Sequence, residues 1–198
     1  VEFPEAGDIA DLPDDQGLRR ELELIGSEAI RNGSVGLIVL NGGMATRFGG
    51  SVKGTVKVDG DRSFLGLKLL DAKRTALQAG GPMPPVLLMN SQATSAKTTD
   101  HLEENDYFGY DPNRVWCFEQ CWSIRFTPDG DVFRDADGSP SFHGPGHGDL
   151  PSRLRDSGLL ERFVEQGGRT FLMTNVDNAA AGLDPVVLGW HLKNGTAL

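Results

Sequence analysis

The chain has 198 residues, 38% of them hydrophobic and 24% charged, with a formal net charge of −9; this length fits one globular domain of about 100–200 residues. The acidic balance argues against a sequence-independent nucleic-acid surface, which needs clustered Lys and Arg side chains. The sequence lacks an apolar run near the roughly 20 residues that cross a bilayer, and also the basic flank and apolar stretch of a secretory signal, so we expect a cytoplasmic protein without a membrane partner.

The N-terminal segment is acidic. Its first sixteen residues carry six Asp or Glu side chains and no basic one, which predicts a solvated arm over 1–16 ahead of a folded part over 17–198. Apolar residues then recur at helical spacing, at Leu18, Leu22, Ile25 and Ala29. This spacing predicts an amphipathic helix that the pair Asn32-Gly33 can end.

The middle of the chain alternates between strand and helix patterns. A β-branched apolar run over 36–40 predicts a strand buried on both faces. The later segments are a helix over 64–79, a strand over 85–89, a helix over 93–104, a strand over 114–118, helical segments over 152–166 and a strand over 170–173. Such alternation predicts an α/β fold with a mostly parallel sheet flanked by helices.

A small β-hairpin interrupts this alternation. Pro128-Asp129-Gly130 is a turn signal between two short apolar stretches. We expect Ile124 and Phe126 to pair with Val132 and Phe133, forming an excursion that hangs off the sheet.

The most informative stretch, LNGGMATRFGG over 40–50, follows the first predicted strand directly. Glycines let a ligand approach the backbone, whose N–H groups can then point at phosphate oxygens. The loop has neither the G-x-G-x-x-G of dinucleotide sites nor the Gly-Lys-Ser/Thr of Walker A. A backbone cradle followed by the cation Arg47 suits a nucleoside triphosphate whose phosphate bond is broken.

This loop resembles the G-G-x-x-T-R signature of the sugar-phosphate nucleotidylyltransferases, particularly the UDP-glucose and UDP-N-acetylhexosamine pyrophosphorylases. The family commonly has Gly where this chain has Ala45, and Lys53 stands in for the basic residue that follows. Further segments come in the family's order: Met89-Asn90-Ser91, Phe118-Glu119-Gln120, GPGHGD over 144–149 and TNVDN over 174–178. The resemblance covers about 36–192 and implies a Rossmann-like fold of the nucleotide-diphospho-sugar transferase type.

The resemblance also implies residue roles. Arg47 and Lys53 would act on the triphosphate, and His147 would face the sugar phosphate. The implied nucleotide-binding residues are Leu40, Asn41, Gly42, Gly43, Met89, Gln120, Gly146, Asn175 and Asp177. Gln120 would read uracil, because an amide offers both a donor and an acceptor.

Asp177 would hold Mg²⁺, the implied cofactor, although an Asp at this position could also cap the following turn. Zinc binding by His143, His147 and Asp149 is a weaker alternative, because the surrounding glycines disfavour a helix that presents both imidazoles.

The implied reaction is attack of a sugar-1-phosphate on the α-phosphorus of UTP, with release of pyrophosphate. The form NGGMATRFGG favours glucose, whereas N-acetylhexosamine and a non-catalytic uridine-nucleotide-binding module stay open as alternatives. Family members run well beyond the N-x-D-N segment. Residues 17–198 are therefore expected to be the nucleotide-binding catalytic part, truncated before the sugar-binding half, and activity of this part alone stays open.

Overall fold

The computed structural model describes residues 11–45 and 50–195. Within them the strands are β1 (Val35–Leu40), β2 (Met44–Ala45), β3 (Ser51–Val52), β4 (Lys57–Asp59), β5 (Arg62–Ser63), β6 (Val86–Asn90), β7 (Val115–Glu119), β8 (Ser123–Ile124), β9 (Phe142–His143) and β10 (Thr170–Asn175). The helices are α1 (Gln16–Arg31), α2 (Phe64–Ala79), α3 (Gln92–Glu104), α4 (Leu150–Asp156), α5 (Leu159–Glu165) and α6 (Pro185–Asn194). Most of the acidic arm predicted over 1–16 lies outside the described residues.

A parallel sheet in the order β10-β1-β6-β7 forms the centre of the fold. This confirms the predicted α/β class and the predicted order of strands and helices. The helical segments predicted over 152–166 are α4 and α5, which are separated at Gly158, whose φ of +73° breaks the helical backbone.

Helices cover both faces of the sheet because the strand residues alternate between two cores. Leu37 and Val39 of β1 pack in a cluster with residues of α2 and α3. Ile38 and Leu40 face the opposite way and pack with Leu154 of α4 and Phe163 of α5. Every residue of β1 is buried, as the continuous apolar run predicted.

Helices α1 and α6 pack against each other at two glycines, one on each helix. A methyl group added at Gly26 would overlap the carbonyl oxygen of Pro185, and one added at Gly189 would overlap that of Leu22. The two backbones therefore touch directly. Only glycine permits so close an approach.

The excursion differs from its prediction in one pairing. Phe126 bridges Val132 in the antiparallel sense, as expected. Ile124, however, pairs with Phe142 of β9 instead of Phe133, so that part of the prediction was wrong. The reason is a third stretch that returns alongside: the Arg125 N–H donates to the Ser141 carbonyl at 2.9 Å.

The strand order reverses direction at β1 and β10, so a ligand crevice is expected at the carboxyl ends of these strands. The chain leaves β1 towards β6 through α2 on one face and arrives at β10 on the other side of β1 through α4 and α5. In open α/β sheets, ligands bind outside the carboxyl ends at such a reversal. None of the helices in the described part of the chain combines the length and apolar character needed to cross a membrane.

Candidate functional site

The residues that directly follow β1 and β7 are hydrogen-bonded through their backbone to the adjacent strand β6. The Asn41 N–H donates to the Met89 carbonyl at 2.8 Å, and the Gln120 N–H donates to the Asn90 carbonyl at 2.9 Å. The ladder of the sheet thus continues into the loops and brings the predicted motifs to one edge, where their backbone is held in place.

The Gln120 amide lies between two glycines. Gln120 is 7% exposed. A Cβ built on Gly42 would come within 3.0 Å of its Oε1, and one built on Gly144 would overlap that atom. None of the residues that the structure describes hydrogen-bonds to the amide group, so its donor and its acceptor are both available to a ligand.

A cavity of about 340 Å³ opens beside this amide. Its lining residues come from four segments: Gly42, Met44, Ser91, Gln92, Ala93, Gln120, Cys121, Trp122, Arg125, Phe142, His143 and Gly144. The predicted Gly146 and His147 are not among them. Gly144 and His143, from the same part of the chain, line the cavity; Gly146 has a φ of +104° and His147 is exposed, and the roles expected of these two residues stay predictions.

A hairpin returns Lys53 to the start of the glycine loop. Strands β2 and β3 pair antiparallel, and the Lys53 N–H donates to the Gly43 carbonyl at 3.2 Å. The Lys53 ammonium then donates to Asp177 Oδ2 at 2.9 Å. Two predicted residues that lie 124 positions apart in sequence therefore meet at the crevice. Arg47, the second predicted cation, lies outside the described residues.

The electrostatics of this pair favour an ionised carboxylate. The ammonium that donates to Asp177 holds the pKa of that carboxyl below its usual value. Both side chains are 40% exposed, so solvent screens the pair and leaves it accessible to a ligand.

Asn41, Leu40 and Met89 are buried, and their backbone holds the strand ends together: the Asn41 N–H donates to the Met89 carbonyl, and the Leu40 carbonyl accepts from the Val176 N–H at 3.2 Å. The Asn41 Nδ2 group donates to Asn90 Oδ1 at 2.8 Å and to Thr98 Oγ1 at 2.9 Å, which ties the ends of β1 and β6 to α3. Leu40 and Met89 belong to the core.

The loops around the crevice have anchors that sequence reasoning missed. Asp149 Oδ2 accepts from the Cys121 N–H at 2.7 Å and so joins the loop after β7 to the 144–149 segment. Lys68 of α2 is 3% exposed, and its ammonium reaches residues on both sides of Asp177. The sequence did contain a signal for Lys68. It is a cation that shares the apolar face of a predicted helix with Leu65 and Ala72, where a buried side chain is expected.

The described residues contain no group of three His, Cys, Asp or Glu side chains suited to a metal ion. His143, His147 and Asp149 therefore do not form the zinc site weighed above. Asn175 and Asp177 are exposed at the carboxyl end of β10.

Comparison with known proteins places these features in a family. A family model described as UTP–glucose-1-phosphate uridylyltransferase matches residues 11–197. UDP-N-acetylglucosamine diphosphorylase 1 of Arabidopsis thaliana is 28% identical over 186 residues, which cover 87% of this chain and 37% of that protein. The chain thus spans well under half the length of this relative.

Solved structures share the architecture. The structure of a UDP-N-acetylglucosamine pyrophosphorylase from Entamoeba histolytica superposes with a TM-score of 0.84 at 24% identity, covering 95% of this chain and 50% of that one. A mutant UDP-glucose pyrophosphorylase from Leishmania major in complex with UDP-glucose gives a TM-score of 0.71 at 26% identity, covering 98% of this chain and 38% of that one.

Proposed function

Because the chain belongs to the UTP–glucose-1-phosphate uridylyltransferase family, we propose that it is the nucleotide-binding part of a UDP-sugar pyrophosphorylase. Such an enzyme joins the uridylyl group of UTP to a sugar-1-phosphate and releases pyrophosphate. The observation that carries the proposal is the Gln120 amide, which is held between Gly42 and Gly144, faces the cavity and has no hydrogen-bond partner among the described residues.

Gln120 suits a pyrimidine edge. A primary amide presents a donor and an acceptor side by side, as the N3–H and a carbonyl of uracil require. We propose that close packing against the two glycines keeps the amide in one orientation, so that a base with the opposite donor and acceptor pattern would leave buried polar groups unpaired. This arrangement favours uracil over cytosine.

Lys53 and the glycine loop suit the triphosphate. Gly42 and Gly43 lead from β1 into the crevice, and the Lys53 side chain runs alongside Gly43. Backbone N–H groups and a mobile ammonium would hold the phosphates and stabilise charge that grows on the leaving pyrophosphate. We propose, from the sequence alone, that Arg47 binds the same phosphates.

Asp177 suits Mg²⁺ as a single ligand. Protein-bound Mg²⁺ often takes one or two carboxylates and completes its shell with water and substrate phosphates. The Asp177 carboxylate is accessible and its pKa is lowered, so it offers the ionised oxygen that this mode needs. The ion would supply charge neutralisation on the phosphates. The attacking sugar phosphate is already ionised, so catalysis needs positioning more than a base.

For the sugar, we propose N-acetylglucosamine-1-phosphate first. The Arabidopsis thaliana relative and the Entamoeba histolytica structure carry N-acetylglucosamine names. Glucose-1-phosphate is the second candidate, because the family description and the Leishmania major structure carry glucose names, and the form of the glycine loop favours it.

Calorimetric titration of the intact protein with UTP, CTP and ATP tests the nucleotide assignment. We expect UTP to bind at least about tenfold more tightly than CTP, since an unpaired buried polar group costs roughly 1–3 kcal/mol. Equal affinity for the three nucleotides would remove the uridine assignment. Tight UTP binding without turnover on either sugar phosphate would favour the non-catalytic binding module.

A further inference from the structure

Lys68 is a buried cation with three hydrogen-bond acceptors around it. Its ammonium donates to Thr174 Oγ1 at 3.1 Å, to the Asn178 carbonyl at 2.5 Å and to the Ala181 carbonyl at 2.6 Å. Thr174 lies on β10, before Asp177 in the chain, and the two carbonyls belong to residues that follow Asp177. The ammonium therefore holds the chain on both sides of Asp177.

Asp71 binds the chain farther along, at Leu183. It lies three residues after Lys68 on α2, and its Oδ2 accepts from the Leu183 N–H at 3.0 Å. Residues i and i+3 of a helix share a face, so the two side chains point towards one partner. A methyl group at Gly182 would overlap Asp71 Oδ2, which shows how closely the segment lies against the helix.

The burial of Lys68 needs a reason, because an ammonium removed from water is costly unless its donors and its charge are satisfied. An ammonium supplies three donors from one atom, which matches the three acceptors here. Among the residues the structure describes, no carboxylate lies within ion-pair distance of it; Asp71 and Asp177 act on it from farther away and offset part of the effect of burial.

We propose that Lys68 and Asp71 form a clamp that positions Asp177. The clamp joins α2 to residues 174–183 and thereby sets the place of the Asp177 carboxylate opposite Lys53. The expectation that the Asp177 carboxylate in this position binds Mg²⁺ beside the phosphates rests on the function proposed above. The clamp itself is a property of the fold and can be tested separately.

The first test is hydrogen–deuterium exchange in the intact protein, comparing wild type with Lys68→Met and Asp71→Asn. We expect the amides of 176–183 to exchange about tenfold faster or more in Lys68→Met, because hydrogen bonds from a charged group are lost locally. Asp71→Asn, which keeps the shape of the side chain, should speed exchange mainly at 182–183. Lys73→Met is the matched control, because Lys73 also lies on α2 and donates to a backbone carbonyl, that of Gly109, at 2.6 Å.

The second test is the Mg²⁺ dependence of UDP-sugar formation. In Lys68→Met the Mg²⁺ concentration for half-maximal turnover should rise about 10–100-fold, as for other residues that orient a metal ligand. UTP binding through Gln120 should change less than about threefold, and Lys73→Met should match wild type.

Unchanged exchange at 176–183, or equal acceleration throughout the protein, would reduce Lys68 to a packing residue and overturn the clamp. If the wild-type protein formed no UDP-sugar, the proposed function would fall, while the exchange result would still decide the clamp.

Discussion

At the scale of single residues, Gln120 and Asp177 differ in how they are held. Gln120 is confined by backbone on two sides and makes no hydrogen bond through its amide to the described residues. Asp177 is exposed, and its carboxylate pairs with the Lys53 ammonium. We therefore expect Gln120 to govern which nucleotide binds and Asp177 with Lys53 to govern turnover.

Gln120→Ala should remove the preference for uracil. The preference for UTP over CTP should fall by about 10–100-fold, in line with roughly 1–3 kcal/mol for a buried hydrogen-bonding group. Competition titrations with the two nucleotides measure it. Gln166→Ala is the control, because Gln166 accepts a hydrogen bond from Arg114 at an exposed site. An unchanged preference in Gln120→Ala would exclude Gln120 as the base reader.

Lys53→Ala should lower turnover more than UTP affinity. One electrostatic contact to a developing charge is worth about 10²–10³ in turnover. Single-turnover UDP-sugar formation at saturating UTP and Mg²⁺ is the measurement. Lys57→Ala, which breaks an exposed ion pair with Asp61, is the matched control. Wild-type rates in Lys53→Ala would leave the glycine loop with no more than a scaffold role.

Asp177→Asn should abolish the metal-dependent part of turnover while the fold stays intact, because it removes charge and keeps shape. The lowered pKa of Asp177 means that the ion pair contributes above the ordinary carboxyl pKa and is lost as pH falls through the folded-state value. Wild-type turnover should thus keep its Mg²⁺ dependence across neutral pH. Near-normal activity of Asp177→Asn at ordinary Mg²⁺ would contradict metal binding, and unfolding would favour the capping role.

At the scale of elements, the sequence predicted those helix boundaries that depend on neighbouring residues alone. Helix α2 begins where the Ser63 hydroxyl accepts from the Gly66 N–H and ends at Gly80 with φ of +71°, and both signals are visible in sequence. The partner of Ile124 was missed because it follows a second turn at 135–139. The Asn41–Thr98 bond joins residues 57 positions apart, so periodicity carries no trace of it.

The crossing of α1 and α6 gives an element-scale prediction. Gly189→Ala should destabilise the protein by about 1–3 kcal/mol, because the new methyl group would have to push two helix backbones apart. Urea unfolding followed by circular dichroism measures the change. Val187→Ala, at a position 44% exposed on the same helix, should shift stability by less than about 0.5 kcal/mol. Equal stability of Gly189→Ala and wild type would mean that the helices do not meet through these glycines.

At the scale of the whole molecule, an acidic chain presents a crevice suited to a polyanion. The net charge is −9, yet Lys53 and the buried Lys68 both bind residues at or just after the carboxyl end of β10, and Lys53 also lies alongside Gly43 of the glycine loop. The family and the α/β fold followed from motif order. The lining of the cavity by Gly144 did not, because it depends on how the chain at Gly144 packs against Gln120.

The most direct test of the central claim is product formation by the intact protein with UTP, Mg²⁺ and either N-acetylglucosamine-1-phosphate or glucose-1-phosphate. We expect release of pyrophosphate together with one UDP-sugar, more rapid product formation with the N-acetylglucosamine substrate, and a rate with CTP or ATP at least about 100-fold lower. Absence of a UDP-sugar with both sugar phosphates, or equal rates with all three nucleotides, would contradict the account.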